Sequence, residues 1–336
     1  MTDKHRLGLA AALAALALVA AGCGSDGDGG GGDGSGDDGL GSLTVAVGTA
    51  QTFEFLPAEF GLDLGVWEER GLQVENLYVQ GSGQVAQAIA AGEADIGVTA
   101  GASGVDAILS GVESKIVGLI GADFRMMVLV VPEGSAIQSI DDLQDTVVGV
   151  TSAGSLTDYL ARTITVHQGW PEDAIQRANI GGLSEQLAAL ESGATDAFVW
   201  SVEAGFALEE EGSGQVLLDF GQIVTENVFE DIVASQPAID EREDAVRAYL
   251  EGWYETVRHM KDNRDETVAV MVEEFEVSEN VAAKTYDHDI DNLSTDGTIP
   301  QANLEGLAQS VVEQGIADEV PAIDVFWDDR FVPVDG

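Results

Sequence analysis

The chain has 336 residues, and 45% of them are hydrophobic, which is enough apolar material to fill a sizeable core. It carries 60 acidic residues against 14 basic ones, for a formal net charge of −46. A surface this acidic repels nucleic acid and anionic lipid headgroups, so we expect neither as a partner. We interpret the acidity as a solvated surface, of the kind that suits a salty habitat.

The N-terminus has the pattern of a bacterial export signal. A short basic start precedes an apolar run at residues 7–20, and small residues lead directly to Cys23, the only cysteine. The run is shorter than the roughly 20 apolar residues that span a membrane, and its length is typical of a signal-peptide core. It resembles the lipobox of bacterial lipoproteins, although Ala20 stands where that family more often has Leu. We therefore predict a lipoprotein signal peptide at residues 1–22 and lipid attachment at Cys23; the alternative is a plain secretory signal.

A segment of almost pure Gly, Asp and Ser follows, over residues 24–42. It has no apolar content to bury, so we expect it to be disordered. A glycine-rich coil of this length has a typical span of roughly 25 Å. Residues 23–42 are thus predicted to form a lipidated Cys and a tether that holds a soluble domain beside a membrane.

Two short segments of the first half of the chain recur in the second half at nearly the same offset. "TVAVGT" at 44–49 returns as "TVVGVT" at 146–151, and "AIAAGEADIGV" at 88–98 returns as "ALESGATDAFV" at 189–199. The β-branched runs are typical of buried strands, and the Ala/Leu-rich runs before a glycine are typical of helices. Two matches in the same order predict two lobes of similar α/β construction.

The elements predicted in chain order alternate between strands and helices. In the first lobe they are strand 43–48, helix 57–70, strand 72–79, helix 84–92, strand 95–99, helix 103–110 and strand 114–120. In the second lobe they are strand 146–151, helix 155–167, strand 176–180, helix 184–192 and strand 196–200. Beyond residue 222 the pattern changes to helices, including an amphipathic one over 241–263.

These late helices have no counterpart in the repeat, so we expect them to pack on the first lobe, with the chain crossing between lobes twice. The predicted first lobe comprises residues 43–130 plus 223–336, and the predicted second lobe comprises residues 131–222.

Three longer segments, 60–103, 131–160 and 189–203, resemble the solute-binding proteins of ABC importers. The branch is the one for uptake of sulfonates, nitrate, taurine and pyrimidine precursors, and the resemblance covers about residues 43–335. It implies an α/β, two-lobed periplasmic-binding-protein fold of type 2. Each lobe would be a mixed sheet flanked by helices, with a ligand held in the cleft between them.

The resemblance also implies a function. The chain would be the extracytoplasmic solute-binding component of an ABC importer, capturing a small organic molecule and delivering it to permease and ATPase subunits. It would lie at the cell envelope, lipid-anchored on the outer face of the cytoplasmic membrane or in the periplasm. The alternative is a lipid-anchored sensor that presents a solute to a receptor.

An enzyme is the less favoured interpretation. The fold family includes pyrimidine synthases of thiamine biosynthesis, but their cysteine-rich active motif is missing, since the only cysteine precedes the tether. We expect no catalytic residue and no cofactor. We also predict no metal site, because "DHDIDNLSTDG" at 287–297 has Asn292 where a calcium loop needs glycine, and the histidines lack zinc spacing.

Ligands of open α/β sheets bind beyond the carboxyl ends of strands, where helix N-termini expose backbone amides. Loops at 48–55, 81–84, 99–103, 152–155 and 200–203 meet this condition. The candidate ligand-binding residues are Gln51, Phe53, Glu54, Ser82, Gly83, Thr99, Gly101, Ser103, Ser152, Gly154, Ser155, Trp200 and Glu203. Serine and threonine hydroxyls and glycine amides would bind polar groups, and the two aromatic rings would form walls.

The charge of these loops bears on the ligand. They contain no arginine, and Arg125, near the crossing, is the nearest candidate for binding an oxyanion. Glu54, Asp158 and Glu203 favour a neutral or amine-bearing organic molecule over an oxyanion.

Overall fold

The computed structural model of the protein describes residues 39–335. The predicted signal peptide, the lipidation site Cys23 and the predicted tether as far as residue 38 lie outside the described residues. The sequence predicts a tether that reaches residue 42, but Gly41 and Ser42 already belong to the first strand, where Gly41 pairs with Leu72. Backbone pairing with a neighbouring strand requires no apolar side chain, so composition alone misplaces this boundary.

The described residues contain ten strands, twelve α-helices and eight short 3₁₀ helices. The strands are β1 (Gly41–Val47), β2 (Leu72–Tyr78), β3 (Ile96–Ala100), β4 (Ser114–Gly121), β5 (Met127–Pro132), β6 (Val147–Val150), β7 (Gln176–Asn179), β8 (Ala197–Ser201), β9 (Gly214–Asp219) and β10 (Glu230–Ser235). The helices are α1 (Leu56–Leu64), α2 (Ser82–Ala90), α3 (Gly101–Leu109), α4 (Leu156–Gln168), α5 (Leu183–Ser192), α6 (Val202–Glu211), α7 (Gln236–Glu241), α8 (Glu243–Asp262), α9 (Arg264–Phe275), α10 (Glu279–Asp289), α11 (Gln301–Glu313) and α12 (Ile323–Phe326). Within this part of the chain, no helix combines the length and apolar character needed to cross a membrane.

The strands form two mixed five-stranded sheets with the same internal arrangement. The first has the order β2-β1-β3-β10-β4, and the second has the order β7-β6-β8-β5-β9. In the first sheet β10 is antiparallel to β3 and β4, and in the second β5 is antiparallel to β8 and β9. Each sheet therefore has one antiparallel strand, and it is the fourth strand in the order of both sheets. The predicted α/β class with two mixed sheets flanked by helices is confirmed.

The repeated sequence segments occupy equivalent strands. The first pair of segments forms β1 and β6, and the second pair ends in β3 and β8. Chain order explains the antiparallel strands: the chain leaves the first sheet after β4 to supply β5, and it leaves the second after β9 to supply β10. It thus crosses between the sheets twice.

Some boundaries differ from those expected. Residues 127–130, assigned by sequence to the first lobe, pair with β8 and β9 of the second sheet. Their apolar run predicts a buried strand but carries no signal for which sheet receives it. The predicted helix 57–70 ends at Leu64, because Gly65 adopts a left-handed φ of 72°.

Three of the late helices, α8, α11 and α12, pack on helices that flank the first sheet. The long helix α8 packs on α1. The ring of Trp67, which follows α1, stacks on the ring of Tyr249 in α8 with 5.4 Å between ring centroids, and Trp67 Nε1 donates a hydrogen bond to the Tyr249 carbonyl oxygen. Helices α11 and α12 pack on α3. Helix α10 contacts α6 of the second sheet as well as α9, so it lies where the two halves of the fold meet.

Candidate functional site

Loops from the two sheets meet at the carboxyl ends of equivalent strands. The hydroxyl of Ser103, at the start of α3, donates to the carbonyl oxygen of Gly154 before α4, at 3.5 Å. Nearby, Asn227 donates to the hydroxyl of Tyr159 at 3.3 Å. The predicted loops 99–103 and 152–155 are thus brought face to face.

The segment after β1 turns inward. Phe53 is fully buried and packs edge-to-face on the Tyr286 ring of α10, with 6.1 Å between ring centroids. Glu54, next along the chain, is 3% exposed. Gln51 remains exposed, with its side-chain amide donating to the carbonyl oxygen of Glu274 at 3.2 Å. Of these three candidates, Glu54 is therefore the one that brings a titratable group into the interior.

Glu54 belongs to a cluster of four buried carboxyl groups, which we call the carboxyl cluster. Its members are Glu54 after β1, Glu203 in the first turn of α6, Glu230 at the start of β10 and Asp289 at the end of α10. All four are at most 5% exposed. The cluster therefore joins elements of both sheets.

Burial and mutual repulsion favour the protonated forms of these groups. Burial, with a smaller contribution from Asp289, raises the pKa of Glu54 to about 8. Burial and then the charge of Glu54 raise the pKa of Glu203 and of Glu230 well above the ordinary value. A carboxyl group that is hard to ionise inside a fold is a frequent mark of a functional site.

Few cations offset the carboxyl cluster. Asp289 pairs with His288, whose pKa is raised chiefly by that hydrogen bond. Among residues 39–335, no Lys, Arg or His forms an ion pair with Glu54, Glu203 or Glu230. The Ser201 hydroxyl donates to Glu203, whereas Oε2 of Glu54, Oε2 of Glu230 and Oδ2 of Asp289 have no hydrogen-bond partner.

Arg125, the candidate for binding an oxyanion, is already committed to carboxylates. Its guanidinium pairs with Asp123, with Nε donating at 2.7 Å, and its pKa is raised chiefly by that bond. Asp219 and Asp289 add to the negative field around it. The surroundings of Arg125 therefore do not favour an anionic ligand.

The candidates at the start of α4 hold their own loop together. The Ser155 hydroxyl caps the helix by accepting from the Asp158 amide at 3.3 Å, and it donates to the Ser152 carbonyl oxygen at 2.7 Å. The Asp158 carboxylate accepts from the Gly154 amide at 3.0 Å and from Arg177 at 2.7 Å. Asp158 is thus neutralised by Arg177 and contributes little negative charge toward a ligand.

Two candidates of the first sheet have polar groups already engaged. Ser82 accepts from the Ala100 amide at 3.4 Å, and the Gly101 amide donates to the Phe229 carbonyl oxygen at 3.2 Å. A Cβ on Gly101 would lie 2.7 Å from the Val228 carbonyl oxygen, so close packing requires glycine there.

The remaining candidates differ in their surroundings. Thr99 is buried with an unpartnered hydroxyl, and Gly83 lies in the first turn of α2. Trp200 packs against an apolar cluster that includes Phe198 and Phe206. Ser152 is exposed.

Sequence reasoning missed Glu230 and Asp289. Glu230 had a signal, because "VFEDIVAS" at 228–235 places two acidic residues inside an apolar run typical of a buried strand. Asp289 belongs to the segment 287–297, whose first residues resemble a calcium loop. No three His, Cys, Asp or Glu side chains in the described part of the chain are grouped to hold a metal ion.

A pocket of about 120 Å³ opens beside the segment that follows β1. Its lining includes the acidic side chains Glu59 and Glu274 and the aromatic rings of Phe55, Tyr78 and Phe275. Thr52 also lines it, and the Thr52 hydroxyl adjoins the Glu54 carboxyl. Thr52 thus links the pocket to the carboxyl cluster, none of whose four members is among the lining residues.

Comparisons with known proteins agree with this architecture. A family model described as NMT1/THI5 like matches residues 53–267, which is more than half of the chain. No curated protein sequence matches the chain.

Several solved structures share the fold at low sequence identity. The alkanesulfonate-binding protein SsuA from Xanthomonas axonopodis pv. citri, bound to MOPS, is 14% identical, with a TM-score of 0.72 over 85% of this chain and 98% of its own. The ligand-binding component of an ABC-type import system from Staphylococcus aureus, with zinc bound, is 15% identical, with a TM-score of 0.72 over 86% and 97%. The periplasmic nitrate-binding protein NrtA from Synechocystis PCC 6803 is 13% identical, with a TM-score of 0.64 over 84% and 86%.

Proposed function

The chain belongs to the NMT1/THI5-like family, and we propose that it is the solute-binding component of an ABC importer. It captures a small organic molecule between the two sheets and delivers it to permease and ATPase subunits. Fold neighbours that bear the names of sulfonate-binding, nitrate-binding and import-system proteins support this proposal.

One observation carries the proposal. The carboxyl ends of equivalent strands in the two sheets converge, and polar side chains from both halves are buried together where they meet, Glu54 from one and Glu203 from the other. Burying polar groups costs free energy unless they are hydrogen-bonded or serve a function. A ligand bound between the halves would supply partners for these groups.

We further propose that the protein works outside the cytoplasm, held at the envelope by a lipid on Cys23. The basic start, the apolar run and the small residues before that cysteine support the anchor. Binding rather than catalysis is the role proposed, and fold neighbours that are named as binding proteins support it.

A thermal-shift screen of the full-length chain tests the proposal. The panel contains sulfonates, nitrate, primary amines, guanidines and aminopyrimidines. A ligand present at about 100 times its dissociation constant stabilises the folded state by about 2.7 kcal/mol, which moves the melting temperature by several degrees. Bovine serum albumin, screened in parallel, controls for nonspecific effects of the compounds. If no compound raises the melting temperature, solute capture is the wrong function.

A further inference from the structure

We propose that the captured solute is an organic cation, whose ammonium or guanidinium group binds between Glu54, Glu203 and Glu230. This inference rests on the proposed function and names its substrate class. The carboxyl cluster, the unpartnered Thr52 hydroxyl and the lining of the adjoining pocket carry it.

The first step is the charge balance. Glu54, Glu203 and Glu230 are 3%, 5% and 4% exposed, and no basic side chain of residues 39–335 pairs with them. Buried carboxylates are stable in proteins when paired with a cation, and otherwise they remain protonated at a cost in hydrogen bonding. A bound cation supplies one positive charge, which lets one of the three carboxyl groups ionise while the other two keep their protons.

The second step is an independent polar group at the same place. Thr52 is 4% exposed, and its hydroxyl adjoins the Glu54 carboxyl without forming a hydrogen bond of acceptable geometry. A buried hydroxyl left without a partner costs free energy, and in native proteins such groups usually serve a ligand or a water. Thr52 therefore offers a hydrogen-bond acceptor beside the cluster.

The third step is the chemistry of the bordering pocket. Its volume of about 120 Å³ suits a small organic group, and its lining combines two carboxylates, Glu59 and Glu274, with aromatic rings. Carboxylates and aromatic faces together attract alkylammonium and guanidinium groups, the rings through cation–π interactions. The Tyr78 hydroxyl donates to Glu59 at 2.6 Å, which fixes one wall of the pocket.

Two other ligand classes fit less well. No three His, Cys, Asp or Glu side chains of the described residues are grouped to hold a metal ion, so a bare metal ion is not the cation proposed. An oxyanion would face Glu54, Glu203, Glu230 and Asp289, and the guanidinium of Arg125 is already paired with Asp123. Among these described side chains an oxyanion finds no unpaired cation to balance its charge, because His288 is also paired, with Asp289.

Titration calorimetry on the full-length chain tests the inference with five probes. Butane-1,4-diamine and agmatine represent the cations, 4-aminopyrimidine represents neutral heterocycles, and methanesulfonate and nitrate represent oxyanions. We expect a cation to bind and the oxyanions not to bind. Glu54→Gln should weaken cation binding at least about 30-fold, because the carboxylate that pairs with the cation is lost, and Glu203→Gln and Glu230→Gln should each weaken it as well.

Glu75→Gln is the matched control: Glu75 is exposed on β2, and its substitution removes the same charge at a position away from the cluster. It should change affinity by less than about twofold. Thr52→Val provides a variant that keeps the shape of the buried side chain, and a role in binding predicts weaker cation binding without loss of thermal stability.

The outcomes separate the inference from the proposed function. If methanesulfonate, nitrate or 4-aminopyrimidine binds and neither cation does, the inference is wrong and solute capture stands. If a cation binds equally to the wild type and to all three glutamine variants, the inference is also wrong. If none of the five probes binds, both the inference and the proposed function are contradicted.

Discussion

Burial, and then the charge of Glu54, which follows β1 of the first sheet, raises the pKa of Glu203, which follows β8 of the second. Two residues on different sheets thus share one buried electrostatic environment. Separating the halves of the fold would let water reach both carboxyl groups and return their pKa values toward the ordinary range. The protonation of the cluster is therefore linked both to folding and to contact between the halves.

Stability should fall as pH rises through the range in which Glu54 holds a proton only in the folded state. Its pKa is about 8 in the fold against an ordinary value of 4.5, so between these values the unfolded chain has released a proton that the folded protein keeps. The free energy of unfolding then decreases with pH. Glu54→Gln should reduce this slope by up to about 1.4 kcal/mol per pH unit, as measured by urea unfolding.

The neighbours of Glu54 act in the same direction. The carboxyl pKa values around it are raised, and the raised pKa of His288 also makes stability decline with rising pH. The charged or titratable groups in and around the carboxyl cluster, besides Glu54, are Glu203, Glu230, Asp231, Asp289, His288 and Arg125. Glu75→Gln, on the surface, should leave the slope as it is in the wild type. Equal slopes for wild type and Glu54→Gln would contradict the assignment.

Binding of a cation should release protons. Below about pH 8 Glu54 is mostly protonated, and a cation beside it stabilises the carboxylate. Calorimetry in phosphate and in Tris, whose ionisation enthalpies differ, should give different heats that correspond to release of up to about one proton per ligand near neutral pH. The dissociation constant should decrease with pH by up to about tenfold per unit below pH 8. Identical heats in the two buffers would show that no carboxyl group changes its protonation on binding.

The repeat in the sequence predicted the fold because the repeated segments are the strands that occupy equivalent places in both sheets, β1 with β6 and β3 with β8. The crossing strands were harder to predict. The run that forms β5 looks the same whichever sheet it joins, and β10 contains Glu230 and Asp231, which interrupt its apolar pattern. Glu230 and Asp231, which obscure the sequence pattern of this strand, are themselves buried in the fold.

The sequence predicted which loops form the candidate site better than it predicted the role of each residue in them. Sequence placed Glu54 and Glu203 among the candidates, but it could not show that Arg177 neutralises Asp158, because that pairing depends on the fold. Hydrogen-bonding residues at helix starts are equally suited to capping and to binding a ligand. Ser155 is such a residue, and an experiment can separate the two roles.

Ser155→Ala should destabilise the protein by about 1 kcal/mol, since it removes the N-cap of α4. Urea unfolding measures this loss. Ser152→Ala, in the same loop, removes an exposed hydroxyl and should change stability by less than about 0.5 kcal/mol. A cap alone predicts unchanged ligand affinity in Ser155→Ala, whereas weaker binding would support the predicted contact with the ligand.

Cys23→Ser should release the protein from membranes, because lipid attachment requires the thiol. Fractionation of cells that express the full-length chain should find the wild type with membranes and the variant in the soluble export fraction. Labelling with a radioactive fatty acid provides a second measurement. A labelled Cys23→Ser variant that still sediments with membranes would contradict the proposed anchor.

Two helical glycines should respond in opposite directions to alanine. Gly306 of α11 lies against the segment that leads from β9 to β10, and a Cβ there would overlap the Glu226 carbonyl oxygen. Since a backbone atom cannot rotate away, Gly306→Ala must displace the helix or the crossing segment, at a cost of about 1–3 kcal/mol. At Gly83 of α2 an added methyl group would meet no atom within 4 Å, so Gly83→Ala should stabilise the protein by about 0.5 kcal/mol through the unfolded chain. Urea unfolding measures the free energy of unfolding of both variants. A Gly306→Ala variant as stable as the wild type would mean that α11 does not pack closely against the crossing segment.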